Sequence, residues 1–104
     1  MGNVYKINDF ISDYIDYLKY ERNLSEATIK KYKCNLIAFE KYLIDKNKRL
    51  LSVTQKDIEQ YLTDSFSLNK VSSKTNSITS MNNFYIYLLK EKQIDIIPCE
   101  NIDR

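Results

Sequence analysis

The segment SEATIKKYKCNLIAFEKYLID, residues 25–45, predicts a long helix with one apolar side. Ser25 can cap this helix by accepting a hydrogen bond from a free backbone N–H, and Glu26 adds a favourable negative charge to the first turn. Apolar side chains then recur at alternating spacings of three and four residues, which is the repeat of one face of an α-helix. They are Ile29, Tyr32, Leu36, Phe39 and Leu43. We therefore place a helix from about Glu26 to Asp45.

Three further segments show the same spacing and predict three more helices. The first helix spans about Ile7 to Arg22, and the fourth spans about Ser73 to Lys92. The short third helix follows residues 50–53, at a point where Thr54 and Asp57 fit a capping box. The side chains expected to face inward are Ile7, Phe10, Ile11, Tyr14, Ile15 and Leu18 in the first helix, Ile58, Tyr61 and Leu62 in the third, and Ile78, Met81, Phe84, Tyr85, Leu88 and Leu89 in the fourth.

The composition favours one compact all-α domain. The chain has 104 residues with one glycine and one proline, so it lacks the turn residues that β-hairpins need. Apolar residues make up 43% of the sequence, which is enough for a modest core. Each predicted helix carries one apolar stripe, and the simplest arrangement packs the four helices around a shared core. Pro98 disfavours helix at Ile97 and predicts an exit strand or a linker after the fourth helix.

The sequence lacks the groups that catalysis or metal binding usually requires. It has no histidine, no glycine-rich phosphate loop and no zinc-binding pattern, so we expect no cofactor, no metal and no enzymatic activity of this chain alone. Most of its nine tyrosines fall on apolar stripes, which favours packing over a nucleophilic role. Cys34 and Cys99 are expected to be free thiols. No apolar run is long enough to cross a bilayer, and we expect a cytoplasmic protein.

Charge is unevenly distributed, although the net charge is only +2. Residues 27–39 contain three lysines and no acid, and residues 70–89 also contain no acid. The outward positions of the fourth helix carry short hydroxyl and amide groups, which are mediocre helix formers but can bond to phosphates and base edges. These positions are Thr75, Asn76, Thr79, Ser80 and Asn83. The pattern leaves two interpretations open: contact with DNA, or enrichment of Asn, Lys, Ile and Tyr by an A·T-rich genome.

Several motifs in order resemble the core-binding domain of tyrosine recombinases, the phage integrase and Xer group. Residues 10–43 contain the "ER-x-L-S" corner and an S-x-x-T-x-x-x-Y helix start, matched by Ser25, Thr28 and Tyr32. The segment VTQKDIEQYL, residues 53–62, is similar to the "vt-x-x-d-i-x-x-y-l" segment of that family. Residues 72–98 resemble its fourth helix and its "i-x-x-N-P" exit, with Ile97 where asparagine is common.

The resemblance implies a compact four-helix orthogonal bundle of the SAM-like class, forming a single core-binding domain over residues 1–104. Residues from about 5 to 97 would be helical, and residues 98–104 would begin the linker to a catalytic domain that is absent here. Family members clamp DNA between the two domains, and the catalytic domain carries the tyrosine nucleophile. The implied partners are double-stranded DNA at a recombination site, the catalytic domain of the same polypeptide and other recombinase protomers, with no membrane.

The resemblance also implies that the second and fourth helices face the DNA. Carried over by position, the expected DNA-binding residues are Thr28, Lys30, Lys31 and Lys33 on the second helix and Lys74, Asn76, Thr79, Ser80 and Asn83 on the fourth. Many relatives carry arginines on the fourth helix where this chain has Asn76, Ser77, Asn82 and Asn83. Since arginine suits guanine and asparagine suits adenine, we hypothesise weak affinity of the isolated domain and a preference for A·T-rich sites.

An alternative function is a helical protein–protein interaction module that does not bind DNA. Such a module would use an exposed apolar patch, and the shoulder formed by Ile86 and Tyr87 on the fourth helix is the candidate. A helix-turn-helix repressor fits the sequence less well, because that motif joins two helices by a tight turn. The helices predicted here are long, and the turn residues are missing.

Overall fold

The protein is built from four α-helices and one short 3₁₀ turn. The structure is a computed structural model that describes residues 8–66 and 71–98. The helices are α1 (Asp9–Tyr20), α2 (Glu26–Asp45), α3 (Gln55–Ser65) and α4 (Val71–Lys90), and the 3₁₀ turn Leu50–Ser52 precedes α3. No strand occurs in the described ranges, which confirms the all-α prediction.

The predicted helix bounds are close to the observed ones. Those of α2 are confirmed at both ends, whereas α1 ends at Tyr20, two residues before the predicted end. Helix α4 begins at Val71 and ends at Lys90, in each case two residues earlier than predicted. Ile7, which was expected on the inner face of the first helix, lies outside the described residues. Residues 91–98, which end at Pro98, form turns and bends rather than helix.

Side-chain caps explain where three of the helices begin. The Ser25 Oγ accepts a hydrogen bond from the Thr28 N–H at 3.2 Å, as predicted for the start of α2. The capping box of α3 is also confirmed, since Thr54 Oγ1 accepts from the Asp57 N–H at 3.3 Å and an Asp57 carboxylate oxygen accepts from the Thr54 N–H at 3.0 Å. At α1 the cap is Asn8, whose side chain accepts from the Phe10 N–H at 2.8 Å.

The corner between α1 and α2 is held by backbone hydrogen bonds. Asn23 has a φ of 50°, which is the left-handed region that asparagine enters more readily than most residues. This turn brings the Arg22 N–H to 3.2 Å from the Tyr17 carbonyl oxygen, and the Leu24 N–H to 3.2 Å from the Leu18 carbonyl oxygen. The chain between the two helices is therefore fastened to the last turn of α1 rather than left as a loose loop.

One hydrophobic core joins the elements, with α1, α2 and α4 in mutual contact. Nearly all of the predicted inward positions contribute to it, whereas Phe10, Ile15 and Tyr32 are only partly buried. The prediction was wrong for Leu89, which is 37% exposed. Leu88 is fully buried, and the next residue is turned by about 100° around the helix axis, out of the core. The buried apolar residues are Ile11, Tyr14, Leu18, Ile29, Leu36, Phe39, Leu43, Leu50, Ile58, Tyr61, Leu62, Ile78, Met81, Phe84, Tyr85 and Leu88.

Aromatic contacts and tyrosine hydroxyls attach the remaining elements. The Tyr61 ring of α3 packs edge-on against Phe39 and against Tyr42 of α2, each with its ring centroid 5.0 Å away. The Tyr42 hydroxyl donates to an Asp64 carboxylate oxygen at 2.8 Å. The buried Tyr85 hydroxyl donates to the Leu50 carbonyl oxygen at 2.8 Å, which ties the 3₁₀ turn to α4. These tyrosines pack and cross-link, as the apolar spacing predicts.

Two side-chain hydrogen bonds connect α2 directly to α4. The Asn35 Nδ2 donates to Ser80 Oγ at 2.9 Å, and the Ser80 hydroxyl in turn donates to the Asn76 carbonyl oxygen at 3.0 Å. One turn further along, Asn83 Nδ2 donates to the Tyr32 hydroxyl oxygen at 3.4 Å. The two helices therefore run antiparallel, with asparagine side chains crossing the contact between them.

The expectation that Ser80 points outward was wrong, because Ser80 is 0% exposed. It lies three residues after Ser77, which is 1% exposed, and next to Met81, which is fully buried. A serine is accepted there since its hydroxyl both accepts and donates a hydrogen bond. Ser80 is thus a structural residue between α2 and α4, and it is removed from the candidate DNA-contacting set.

We expect Ser80→Ala to lower the free energy of unfolding by about 1–2 kcal/mol, because the Asn35 amide loses its acceptor inside the helix contact. Urea unfolding followed by circular dichroism measures the change. Asn76→Ala is the matched control, because Asn76 is exposed and only its carbonyl takes part in the contact, so its effect should stay within about 0.5 kcal/mol. Unchanged stability of Ser80→Ala together with weakened DNA binding would instead make Ser80 an exposed contact.

Candidate nucleic-acid interface

The lysines near the start of α2 surround a shallow surface depression. The depression measures about 500 Å³ and is lined by Ala27, Thr28, Lys30, Lys31 and Cys34. All of these residues except the half-buried Thr28 are exposed. Neither lysine forms an ion pair with a carboxylate of the described residues. The first turns of α2 thus present two uncompensated positive charges beside small side chains, as the sequence predicts.

The helix dipole makes it energetically unfavourable to place lysines in the first turns of α2 when no anion is bound. The N-terminal end of a helix carries a partial positive charge, so cations in the first turns are disfavoured. Glu26 is in the first turn and offsets part of that charge. A polyanion lying against this end of α2 would interact favourably with both the backbone N–H groups and the lysines.

Lys33 does not line this depression. It precedes Asn35 by two positions, a rotation of about 200° around the helix, and Asn35 is the residue that contacts α4. Lys33 is exposed, but on the flank of α2 away from α4. Lys33 follows Lys30 by three positions and so remains its neighbour on the helix surface, but it is well separated around the helix from Thr28 and Lys31.

On α4 a polar row runs beside the contact with α2. Asn76 is exposed, and Thr79 and Asn83 are half-buried at spacings of three and four residues along the same side. Lys74 is also exposed, but it comes two residues before Asn76, which corresponds to a rotation of about 200° around the helix axis. It therefore points to another side of α4. Of the predicted residues, the fold thus gathers Thr28, Lys30 and Lys31 around one depression of α2, and Asn76, Thr79 and Asn83 on one side of α4.

A second cavity, which we call the tyrosine pocket, joins these two faces. It measures about 180 Å³ and lies where the end of α1, the start of α2 and the last half of α4 meet. Thr28 and Asn83 line it, and both belong to the predicted set. Its remaining polar lining consists of the four tyrosines Tyr14, Tyr17, Tyr32 and Tyr87 and the two cations Arg22 and Lys90.

Sequence reasoning missed Arg22 and Lys90 as members of this site. Arg22 is part of the quoted corner motif, but its proximity to α4 depends on the corner geometry and cannot be read from spacing. Lys90 is in the last turn of α4, where a cation is favoured by the helix dipole in any case. Neither cation pairs with a carboxylate of the described residues.

Burial and neighbouring charge shape the electrostatics of the tyrosine pocket. Burial is the largest cause that raises the pKa of the Tyr14 phenol, and the nearby Tyr32 raises it further. The Arg22 guanidinium acts in the opposite direction and lowers the pKa of Tyr14, which places a positive charge near the floor of the pocket. The Tyr14 hydroxyl therefore remains protonated at neutral pH and can serve as a hydrogen-bond donor.

The apolar shoulder that the alternative function requires is not a free surface patch. Ile86 and Tyr87 are half-buried and line the tyrosine pocket. The Tyr87 ring centroid lies 5.1 Å from that of Tyr14 and 5.0 Å from that of Tyr17. Packing within the protein thus already uses much of the area that a partner protein would need.

Other kinds of site find no support in the part of the chain that the structure describes. Within residues 8–66 and 71–98 there is no group of three or more metal-binding side chains. The described helices also include none that is long and apolar enough to span a membrane. Cys34 is a free, exposed thiol, as expected, whereas Cys99 lies outside the described residues.

Comparison with known proteins identifies the family. The sequence model described as "Phage integrase, N-terminal SAM-like domain" matches residues 11–92. The chain is 31% identical to the tyrosine recombinase XerD of Shewanella oneidensis over 99% of its own length, and 31% identical to the tyrosine recombinase XerC of Myxococcus xanthus over 81%. It is 30% identical to XerD of Yersinia pestis over 82%. No solved structure matches the chain significantly.

These matches cover 35%, 28% and 29% of the respective recombinases, so the chain spans about a third of the length of its relatives. The matched range includes all of α2, α3 and α4 and all of α1 except its first two residues. The predicted SAM-like all-α class and the resemblance to tyrosine recombinases are both confirmed. The chain belongs to the family of phage-integrase N-terminal SAM-like domains.

Proposed function

We propose that this chain is a DNA-binding domain of a site-specific tyrosine recombinase and that it holds the recombination site through α2 and α4. A separate catalytic domain of the full polypeptide would cleave the strands, and further protomers would assemble on the same DNA. The protein would act in the cytoplasm, and this domain by itself would carry no catalytic activity. The observation that carries the proposal is the pair of uncompensated lysines, Lys30 and Lys31, which share a depression with Thr28, while Thr28 shares a cavity with Asn83 of α4.

The α2 face has the properties that contact with a phosphate backbone requires. Lys30 and Lys31 supply the positive charges, and Ala27 and Cys34 are small enough to let the duplex approach closely. The Thr28 N–H is already used by the Ser25 cap, and Ser25 Oγ donates to Thr28 Oγ1 at 2.9 Å. The Thr28 hydroxyl proton is therefore available to donate outward to a phosphate oxygen.

The α4 face has the properties that base reading requires. Asn76 presents an exposed amide, and Asn83 uses one amide hydrogen for Tyr32 and keeps its second hydrogen and its carbonyl oxygen for a ligand. Asparagine makes bidentate contacts to adenine, and such contacts discriminate between bases. Ser77 is buried, so it takes no part in this face.

The first test is binding of the 104-residue chain to duplex DNA at low salt, with Lys30→Ala/Lys31→Ala as the variant. About five phosphate contacts give a slope of roughly −4 to −5 in log K against log[salt], and the double variant should flatten this slope by about two. Electrophoretic shifts at several salt concentrations measure both slopes. Lys56→Ala is the control, because Lys56 is exposed on α3, away from this face. Equal slopes for all three proteins would exclude α2 from the interface.

The second test uses Cys34 as a reporter of the α2 face, in a Cys99→Ser background with one remaining thiol. Because Cys34 lines the depression with both lysines, bound duplex should slow its alkylation by a maleimide several-fold. Mass spectrometry over time measures the rate with and without DNA. For the control, the only thiol is moved to α3 as Glu59→Cys with Cys34→Ser, and DNA should leave its rate unchanged. An unprotected Cys34 at saturating DNA would contradict the proposed face.

The third test concerns sequence preference. If Asn76 and Asn83 read adenines, the chain should bind A·T-rich duplexes about tenfold more tightly than G·C-rich duplexes of equal length. Asn76→Arg should shift the ratio toward G·C-rich DNA, whereas Asn76→Ala should reduce discrimination without reversing it. Competition titrations at fixed low salt give the ratios. Equal affinity of the unchanged chain for both duplexes would remove base reading by α4 and leave only backbone contacts.

A further inference from the structure

The tyrosine pocket combines a rigid aromatic floor with cations at its rim. Its rings pack on one another, since the Tyr14 centroid lies 5.3 Å from Phe84 and 5.1 Å from Tyr87, and the Tyr17 centroid lies 5.0 Å from Tyr87. Arg22 and Lys90 are both exposed and approach the pocket from different elements. The volume of about 180 Å³ exceeds the roughly 30 Å³ that one water molecule occupies in the liquid, so a tetrahedral anion fits.

The backbone that carries Arg22 is held in place by the fold. The Arg22 N–H is bonded to the Tyr17 carbonyl oxygen at 3.2 Å, and the left-handed Asn23 turns the chain immediately afterwards. Leu24 follows and packs against the core, so Arg22 is fixed on both sides. A guanidinium on a backbone that is already ordered loses less conformational entropy when it binds a ligand. None of the described carboxylates pairs with Arg22, so its guanidinium is available to bind an anion.

The two sides of the pocket differ in charge. Burial raises the pKa of the Tyr87 phenol, and the carboxylates of Glu91, Asp13 and Glu21 raise it further, so the side beyond Tyr87 is acidic. On the other side, the Arg22 guanidinium acts to lower the pKa of the Tyr14 phenol, against the larger effect of burial, which raises it. Thr28 lines both the tyrosine pocket and the depression on α2, so this side of the pocket continues into the proposed interface.

We propose that the tyrosine pocket binds one phosphate of the DNA backbone, held by Arg22 and Lys90 with the Thr28 hydroxyl as a further donor. The proposal rests on the proposed function and extends it, since it adds a contact at the corner of α1 and α2 to those on the outer faces of α2 and α4. Arg22 offers a planar fork of donors that matches two phosphate oxygens. The pocket then fixes where along α2 the backbone of the duplex lies.

Arg22→Gln and Lys90→Ala are each expected to weaken binding to duplex DNA roughly tenfold at low salt and to reduce the salt slope by about one. Arg22→Lys keeps the charge, so it should retain the slope while losing part of the affinity, because the fork geometry is gone. Arg49→Ala is the matched control: Arg49 is also exposed, but it lies at the 3₁₀ turn outside the pocket and should change neither quantity. Thermal unfolding of each variant confirms that it is folded.

A second readout reports the pocket directly and does not depend on affinity. In the chain with ¹³C-labelled tyrosines, duplex DNA should shift the ring signals of Tyr17 and Tyr87, which are assigned through Tyr17→Phe and Tyr87→Phe. The Tyr20 ring is 69% exposed and outside the pocket, so its signal should not move. Arg22→Gln at equal saturation should abolish the shifts at Tyr17 and Tyr87.

Failure of this proposal is distinguishable from failure of the proposed function. If the chain binds duplex with the slope change at Lys30 and Lys31, but Arg22→Gln and Lys90→Ala bind normally and the rings of Tyr17 and Tyr87 do not move, the pocket contact is overturned and DNA binding stands. If an acidic peptide shifts these rings and duplex does not, the pocket takes a protein carboxylate and the phosphate proposal is likewise overturned. If the unchanged chain does not bind duplex at low salt, both proposals fall.

Discussion

The contact between α2 and α4 determines where every candidate ligand-binding group lies. Its centre is apolar, with Leu36, Phe39 and Met81 fully buried, but two asparagine hydrogen bonds cross it one helical turn apart. Apolar contacts alone tolerate small slips between helices, whereas a buried amide that loses its acceptor costs free energy. The Asn35–Ser80 bond therefore favours one register of α2 on α4. In that register Thr28 of α2 and Asn83 of α4 line the same cavity.

Much of this fold was predictable because its helices obey simple rules. Ser25 and Thr54 cap their helices as their chemistry suggests, and the apolar spacing of α2 gives its bounds without error. Ser80 was mispredicted because a serine among asparagines and threonines looks like a surface residue, and only the partner helix shows that its hydroxyl is satisfied inside. The prediction that Leu89 is buried was wrong for a related reason, since the sequence alone does not show how wide the buried stripe of α4 is.

The candidate site likewise has some residues that the sequence predicts and others that only the tertiary structure reveals. The acid-free run on α2 is a local property, so Lys30 and Lys31 could be found by counting charges along the chain. Lys33 and Lys74 share that local property, but Lys33 does not line the depression and lies on the flank of α2 away from α4, and Lys74 points away from the polar row of α4, which only the packing of α2 and α4 reveals. Arg22 could not be found in this way, because its role depends on a corner that folds α1 back beside the end of α4. Charge counting locates a basic helix face, whereas sites built from three helices need the tertiary structure.

The left-handed backbone of Asn23 has a consequence for recognising related chains. Most residues with a Cβ enter this region at a cost of about 1–2 kcal/mol, whereas glycine, asparagine and aspartate enter it readily. A small set of residue types at this single position therefore marks chains that turn the α1–α2 corner as this one does. Such a marker is independent of the charges around the pocket. It can separate homologues that keep the pocket's framework from those that have lost it, even where the ligand-binding side chains have diverged.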